Sequence, residues 1–203
     1  MSERRGWTAG ERRQKGRTLE YLASYEGWRN RDVEIPRTPG APTLLEVRSM
    51  GWYSMFMAHG IEKTPQREVR GPVAALAIGR RPQRLLLGRK YTHVHIQRLS
   101  SSSSGGGFAR WRVRVLPLEA AREISGTVRG RTNDVLWCPA GLRTVNFAFD
   151  RKTADGGSVI THMAPDGRTV TTVMEFGTVR GKMRIPGPGY LRIESLGPWE
   201  VST

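Results

Sequence analysis

Two histidines, His93 and His95, stand two residues apart in Tyr91-Thr-His-Val-His-Ile-Gln97. In an extended chain, side chains two apart project from one face, so this pair can offer two nitrogen ligands to a metal ion, with His59 or His162 as a third. No carboxylate falls in the same run, and histidines turned to solvent or to a partner are the plainer reading. No metal site is assigned. A second spacing of two carries charge. Arg110, Arg112 and Arg114 alternate with Trp111, Val113 and Val115, and Arg180, Lys182 and Arg184 repeat the rhythm. If those strands are neighbours, one sheet face is basic and suited to anions, because guanidinium groups chelate phosphate and carboxylate in a bidentate way. A third cluster, Arg80, Arg81, Arg84, Arg89 and Lys90, continues to Arg98 and is the other candidate anion-facing surface.

Catalytic patterns are missing beside these. Asp134, Asp150, Asp155 and Asp166 sit in or next to turns, where carboxylates cap backbone amides as a matter of course. The serines Ser49, Ser54 and Ser125 lack a nucleophile-elbow context. Gly177, Gly181, Gly187 and Gly189 lie between strands rather than at a strand-to-helix turn, so no phosphate loop is formed. The lone cysteine, Cys138, follows Val135-Leu136-Trp137 and reads as a buried, inert thiol. No catalytic residue and no cofactor is expected, and the chain reads as a non-enzyme.

Composition sets the wider frame. The chain has 203 residues, 33 basic against 18 acidic, a formal charge of +15 and a pI near 11.2. Such a balance points to nucleic acid, an anionic membrane surface or an acidic partner. Only five of the basic residues are lysine, and so strong an arginine bias also follows from GC-rich codon usage. Residues 41–99 are the most biased, with ten basic and three acidic side chains. No stretch approaches the roughly 18 to 20 apolar residues of a spanning helix, and a soluble, cytoplasmic protein is the expectation.

The positioning elements follow from periodicity. Residues 1–40 read as a basic arm or short helix, with Thr8 and Glu11 at capping-box spacing and a helix over about 11–25, ended by Pro36, Pro39 and Pro42. Residues 41–99 read as a strand-rich segment, and Ser100 to Gly107 as a Ser/Gly linker or loop where a module boundary is placed. Residues 108–203 read as a β-sandwich of about eight strands, at 108–115, 124–128, 134–138, 143–149, 157–163, 168–176, 178–185 and 189–203 with a break at Gly197-Pro198. Val145, Phe147 and Phe149, together with Leu191, Ile193, Trp199, Val201, Trp111 and Trp137, form its expected core. The predicted class is mainly β, an antiparallel, jelly-roll-like β-sandwich with an N-terminal arm.

The run Gly177-Thr-Val-Arg-Gly-Lys-Met-Arg-Ile-Pro-Gly-Pro-Gly-Tyr-Leu-Arg-Ile-Glu-Ser-Leu-Gly-Pro-Trp-Glu-Val201, preceded by Gly130 to Leu136 and Asn146-Phe147, resembles a C-terminal β-sandwich module of uncharacterised actinobacterial proteins. That module is similar in outline to carbohydrate-binding and pre-peptidase C-terminal sandwiches. The resemblance covers about residues 108–203 and implies a fold, with no catalytic residue to carry over.

The leading expectation is a binding or assembly module whose arginine-rich strand faces hold an anionic partner, nucleic acid or acidic protein surface, or another protein subunit, with a homo-oligomer among the possibilities. The alternatives are a carbohydrate-binding sandwich that stacks sugars on Trp52, Tyr53 or Tyr190, and a structural subunit of a larger particle whose arm reaches a neighbour.

Overall fold

A computed structural model describes residues 21–51, 55–78, 80–99, 110–150 and 157–203. The expected helix over 11–25 lies mostly outside these residues, and its end is extended: β1 spans Ala23–Gly27. Seven more strands follow, β2 Arg31–Glu34, β3 Thr43–Ser49, β4 Met55–Lys63, β5 Glu68–Ile78, β6 Gln83–Leu87, β7 His93–Leu99 and β8 Trp111–Leu116. They form two antiparallel sheets, ordered β1-β8-β3-β6 and β2-β7-β4-β5. That order is an eight-stranded jelly roll, in which paired sheets close over one core. Phe56, Leu45, Val47, Ile96, Trp111 and Val113 are fully buried between its sheets, because alternation turns every second side chain of each strand inward.

The boundary expected at residue 108 is therefore displaced. Trp111–Leu116 does not open the C-terminal sandwich. It fills the gap between β1 and β3, with Tyr25 opposite Val113 and Val47 opposite the same residue. The segment 100–107, outside the described residues, joins two strands of one body. Residues 23–34, assigned to an arm, supply two of its strands.

After a 3₁₀ turn at Leu118–Ala120 the chain builds the same architecture again. Its strands are β9 Arg122–Glu123, β10 Thr127–Gly130, β11 Asp134–Cys138, β12 Thr144–Phe149, β13 Ser158–Met163, β14 Thr169–Glu175, β15 Val179–Arg184, β16 Gly189–Glu194 and β17 Trp199–Ser202. The sheet orders β10-β17-β12-β15 and β14-β13-β16-β11 reproduce those of the first body with every strand number raised by nine, and β9 is added in parallel beside β11. The protein is a tandem of jelly rolls. Most strand positions expected from 124 onward hold to within a few residues.

The duplication reaches single residues. Gly27 stands opposite Trp111 and Gly130 opposite Trp199. Each indole lies over its glycine and donates its N–H to the carbonyl two residues beyond it, Trp111 to Arg29 at 2.9 Å and Trp199 to Thr132 at 2.7 Å. Buried indole N–H groups need such an acceptor, and only a residue without Cβ leaves room for the ring.

The bodies stack through unlike sheets. Leu44, Leu86 and Leu116 from β1-β8-β3-β6 meet Val135, Met163 and Tyr190 from the β14-to-β11 sheet in a third apolar cluster. Arg84 N–H to Asn133 O at 3.1 Å and Thr132 Oγ1 to Pro82 O at 3.2 Å cross the same joint. Trp137, expected in the C-terminal core, packs here against Tyr190 with ring centroids 5.0 Å apart. Trp111 belongs to the first core.

Two buried groups in the second body make checkable statements. Cys138 has no exposure, and burial pushes its thiol up to about 12. A disulfide-forming reagent is expected to label it only as fast as the second jelly roll opens, and labelling within seconds in native buffer would contradict that. His162 is 1% exposed and neither ring nitrogen finds a hydrogen-bond partner. Burial lowers its pKa from 6.5, only partly offset by the nearby Gly187 backbone. Below pH 6.5 the unfolded chain takes up a proton that the native core refuses. Stability should therefore fall with pH from there, by up to about 1.4 kcal/mol per unit for this one group. Glu194 acts in the opposite sense. Burial raises its pKa above 4.5 against the pull of Arg192, so between 4.5 and its native value falling pH stabilises the fold. Denaturant midpoints between pH 7 and 5 should be flatter for His162→Leu than for the parent, and parallel profiles would refute the assignment.

Candidate functional site

The residues expected to hold an anion are scattered over both bodies. Arg80 and Arg81 lie between β5 and β6, where Arg80 Nε donates to Met50 O at 3.3 Å. Arg84, on β6, donates to Ala120 O at 2.9 Å and lines, with Arg81, Arg122 and Arg131, a notch of about 440 Å³ at one side of the joint. Glu46 and Asp134 share that notch, and Arg122 Nη2 is 2.5 Å from Asp134 Oδ2. Arg89 and Lys90 occupy the β6–β7 turn at another side of the joint, with Arg89 Nη1 3.8 Å from Asp166 and Lys90 Nζ 5.1 Å from the Tyr91 ring centre.

The two arginine rows are not neighbours. Arg112 and Arg114 stand on β8 in the first body and Arg180, Lys182 and Arg184 on β15 in the second, at the far edge of another sheet. Their electrostatic surroundings differ as sharply. Arg110 and Arg112 both grip Glu26, the latter at 2.5 Å, and Arg114 reaches Glu46 at 3.4 Å and the hydroxyl of Tyr21 at 2.5 Å. This follows from register, since β1 sets Glu26 opposite Arg112 and β3 sets Glu46 opposite Arg114. Cross-strand contacts with carboxylates thus engage Arg110, Arg112 and Arg114, while Arg48 on β3 stands opposite Arg112 and keeps that face basic in sum. Tyr21 and Trp28 add cation–π contacts to Arg114 and Arg110, with ring-centre distances of 4.0 and 5.2 Å, while Tyr25 packs against the first core.

On β15 no such matching occurs. The inward positions Val179, Gly181 and Met183 leave Arg180, Lys182 and Arg184 outward and exposed, about 6.7 Å apart along the strand. Opposite them on β12 are Ala148, Asn146 and Thr144. Next come Glu200 and Ser202 on β17, then Arg129 and Thr127 on β10. Among the described residues of these four strands, four cations thus share the face with one carboxylate, and Glu200 is already held by Arg129 at 2.6 Å. Among the described residues no carboxylate stands within ion-pair distance of Arg180, Lys182 or Arg184. Like charges at this spacing repel by about 0.6 kcal/mol per pair in water before screening. Small residues on β12 and β17 open a trough of about 500 Å³ beside the row, floored by Asn146, Ala148 and Ser202. Arg129 went unnoticed in the sequence, although its position two before Arg131 in a short alternating run marks it as outward.

His93 and His95 do share a face of β7, and register places His59 opposite His95 and Asp32 on its other side. His95 Nδ1 is 2.5 Å from Asp32 Oδ1, and the His59 and His95 ring centres are 6.3 Å apart. His93 Nδ1 bonds instead to Thr92 Oγ1 at 2.8 Å. Among the described residues no three His, Cys, Asp or Glu side chains are grouped to hold a metal ion. His162 is in the other body's core. Trp52 and Tyr53 fall outside the described residues. Tyr190 is 6% exposed and wedged in the joint, so it is no sugar-stacking platform. No described helix is long and apolar enough to cross a membrane.

No family model matches the chain, and no curated protein matches it. Among solved structures it is similar to the PBSX exported protein XepA, with 9% identity and a TM-score of 0.26 over 91% of this chain and 82% of that one, a likeness too slight to carry an argument.

Proposed function

We propose that the protein is a non-enzymatic binding module that holds a polyanion, nucleic acid or a strongly acidic protein surface, against the outer face of the β10-β17-β12-β15 sheet. The observation that carries this reading is the unmatched row Arg180, Lys182 and Arg184 beside a trough floored by small residues. The arginine row at β8 of the first body supports it by contrast, because there Glu26 and Glu46 pair with Arg110, Arg112 and Arg114. Polyanion contact relieves the self-repulsion of the row and releases condensed counterions, which makes the affinity salt-dependent. A cytoplasmic protein is part of the same proposal. Titration of the full chain against single-stranded and duplex DNA, RNA and an acidic polypeptide at 50 and 200 mM salt tests it. Saturable binding that weakens steeply with salt is expected, and no salt-sensitive binding to any of these polymers would overturn the proposal.

A further inference from the structure

Where the β6–β7 turn of the first body faces the β13–β14 hairpin of the second, the joint opens into a cleft of about 550 Å³. That lies within the roughly 300–1,000 Å³ typical of small-molecule sites. Neither body forms the cleft alone, since its lining runs from Gly60 to Tyr91 in one and from Met163 to Arg192 in the other. The interior is apolar. Leu86 and Met163 are buried in its floor, and Val73, 44% exposed, stands on its wall. The rim is cationic. Arg89, Lys90, Arg168 and Arg192 line it against the single carboxylate of Asp166.

Asp166 is already engaged, with one oxygen 3.8 Å from Arg89 and the other accepting the Arg168 backbone N–H at 3.0 Å. Arg192 Nη2 is taken by Glu194 at 2.7 Å, which leaves Lys90 and Arg168 as the rim cations with no ion pair among the described residues. Gly167 of the β13–β14 hairpin packs close to the first body: it has φ +80°, and a Cβ there would lie 2.7 Å from Pro42 Cβ and 3.4 Å from Gly88 Cα of the β6–β7 turn.

We infer that this cleft binds a small amphiphilic anion, one carboxylate or phosphate head on an apolar body. A neutral hydrocarbon leaves the cations unanswered, and a bare ion leaves the apolar floor wet. The inference does not rest on the polyanion face, which lies on a different sheet.

Calorimetry on the full chain with decanoate, decyl phosphate, decanol and acetate, each below its aggregation threshold, tests it. One decanoate or decyl phosphate per chain should bind at least tenfold more tightly than decanol or acetate, the better of the two naming the head group. Lys90→Glu with Arg168→Glu, both exposed positions that should not disturb folding, should weaken that binding at least tenfold. The triple change Arg180→Gln, Lys182→Gln, Arg184→Gln should leave it unaltered. Decanol binding as tightly as decanoate, acetate doing so, or indifference to the double change with the fold intact by circular dichroism, would each overturn the inference.

Discussion

Replacing Arg180, Lys182 and Arg184 together by glutamine should abolish most of the salt-sensitive binding while leaving the fold unchanged. Each basic residue near a polyanionic surface contributes about 1 kcal/mol, so the loss at low salt is on the order of 100-fold. The slope of log K against log salt should fall in magnitude by about 2 to 3, since each phosphate contact contributes roughly 0.7 to 0.9. The side chains are exposed and make no ion pair among the described residues, so thermal unfolding should shift little or rise slightly as repulsion is relieved. The matched control is Arg110→Gln, Arg112→Gln, Arg114→Gln. It removes as much charge, yet each of these three arginines is already engaged by Glu26 or Glu46, and the expected loss is under threefold. If the control abolishes binding and the β15 triple does not, the ligand sits on the first body and the proposal fails.

That contrast could not be read from the chain alone. Alternation does show that Arg110, Arg112 and Arg114 share a face, because period two is a local property. What neutralises them is Glu26, 86 residues before Arg112, and Glu46, 68 before Arg114, brought across by β1 and β3. The same non-locality displaced the domain boundary. Trp111–Leu116 carries a strand pattern that fits either body, and only its partners β1 and β3 assign it. At the N-terminus, Leu19, Leu22, Ala23 and Glu26 have helical spacing, whereas Ala23 and Tyr25 at period two face the first core; pairing with β8 decides for the strand. The second body was more legible because its strands are separated by tight turns, with glycines at φ +69° to +94° in Gly126, Gly141, Gly167 and Gly177. The duplication stayed hidden because its sequence trace is small, Trp-x-Val at 111–113 and 199–201 with a glycine at 27 and 130 far upstream.

Those two glycines carry the largest stability effect. At Gly27 a Cβ would lie 2.3 Å from Trp111 Cζ2, and at Gly130 it would lie 2.1 Å from Trp199 Cζ2. No small shift absorbs such an overlap, because Trp111 is wholly buried and Trp199 is 3% exposed. The indole must leave its seat, and with it go the hydrogen bond to Arg29 or Thr132 and most of the ring's burial. Gly27→Ala and Gly130→Ala should therefore each cost about 3–5 kcal/mol, the scale of deleting a buried tryptophan, although alanine in an open strand position would stabilise by up to about 1 kcal/mol. Gly187→Ala is the control, since a Cβ there meets nothing within 4 Å, and a change below about 0.5 kcal/mol is expected. Guanidinium unfolding followed by fluorescence and circular dichroism reads all three. If the bodies melt as separate units, Gly27→Ala should move the first transition and Gly130→Ala the second. Pairing Gly130→Ala with Trp199→Leu should recover part of the loss, because the shorter side chain no longer needs the space that the new methyl fills. A Gly130→Ala midpoint equal to the parent's would mean that the indole and its glycine do not hold the second jelly roll together.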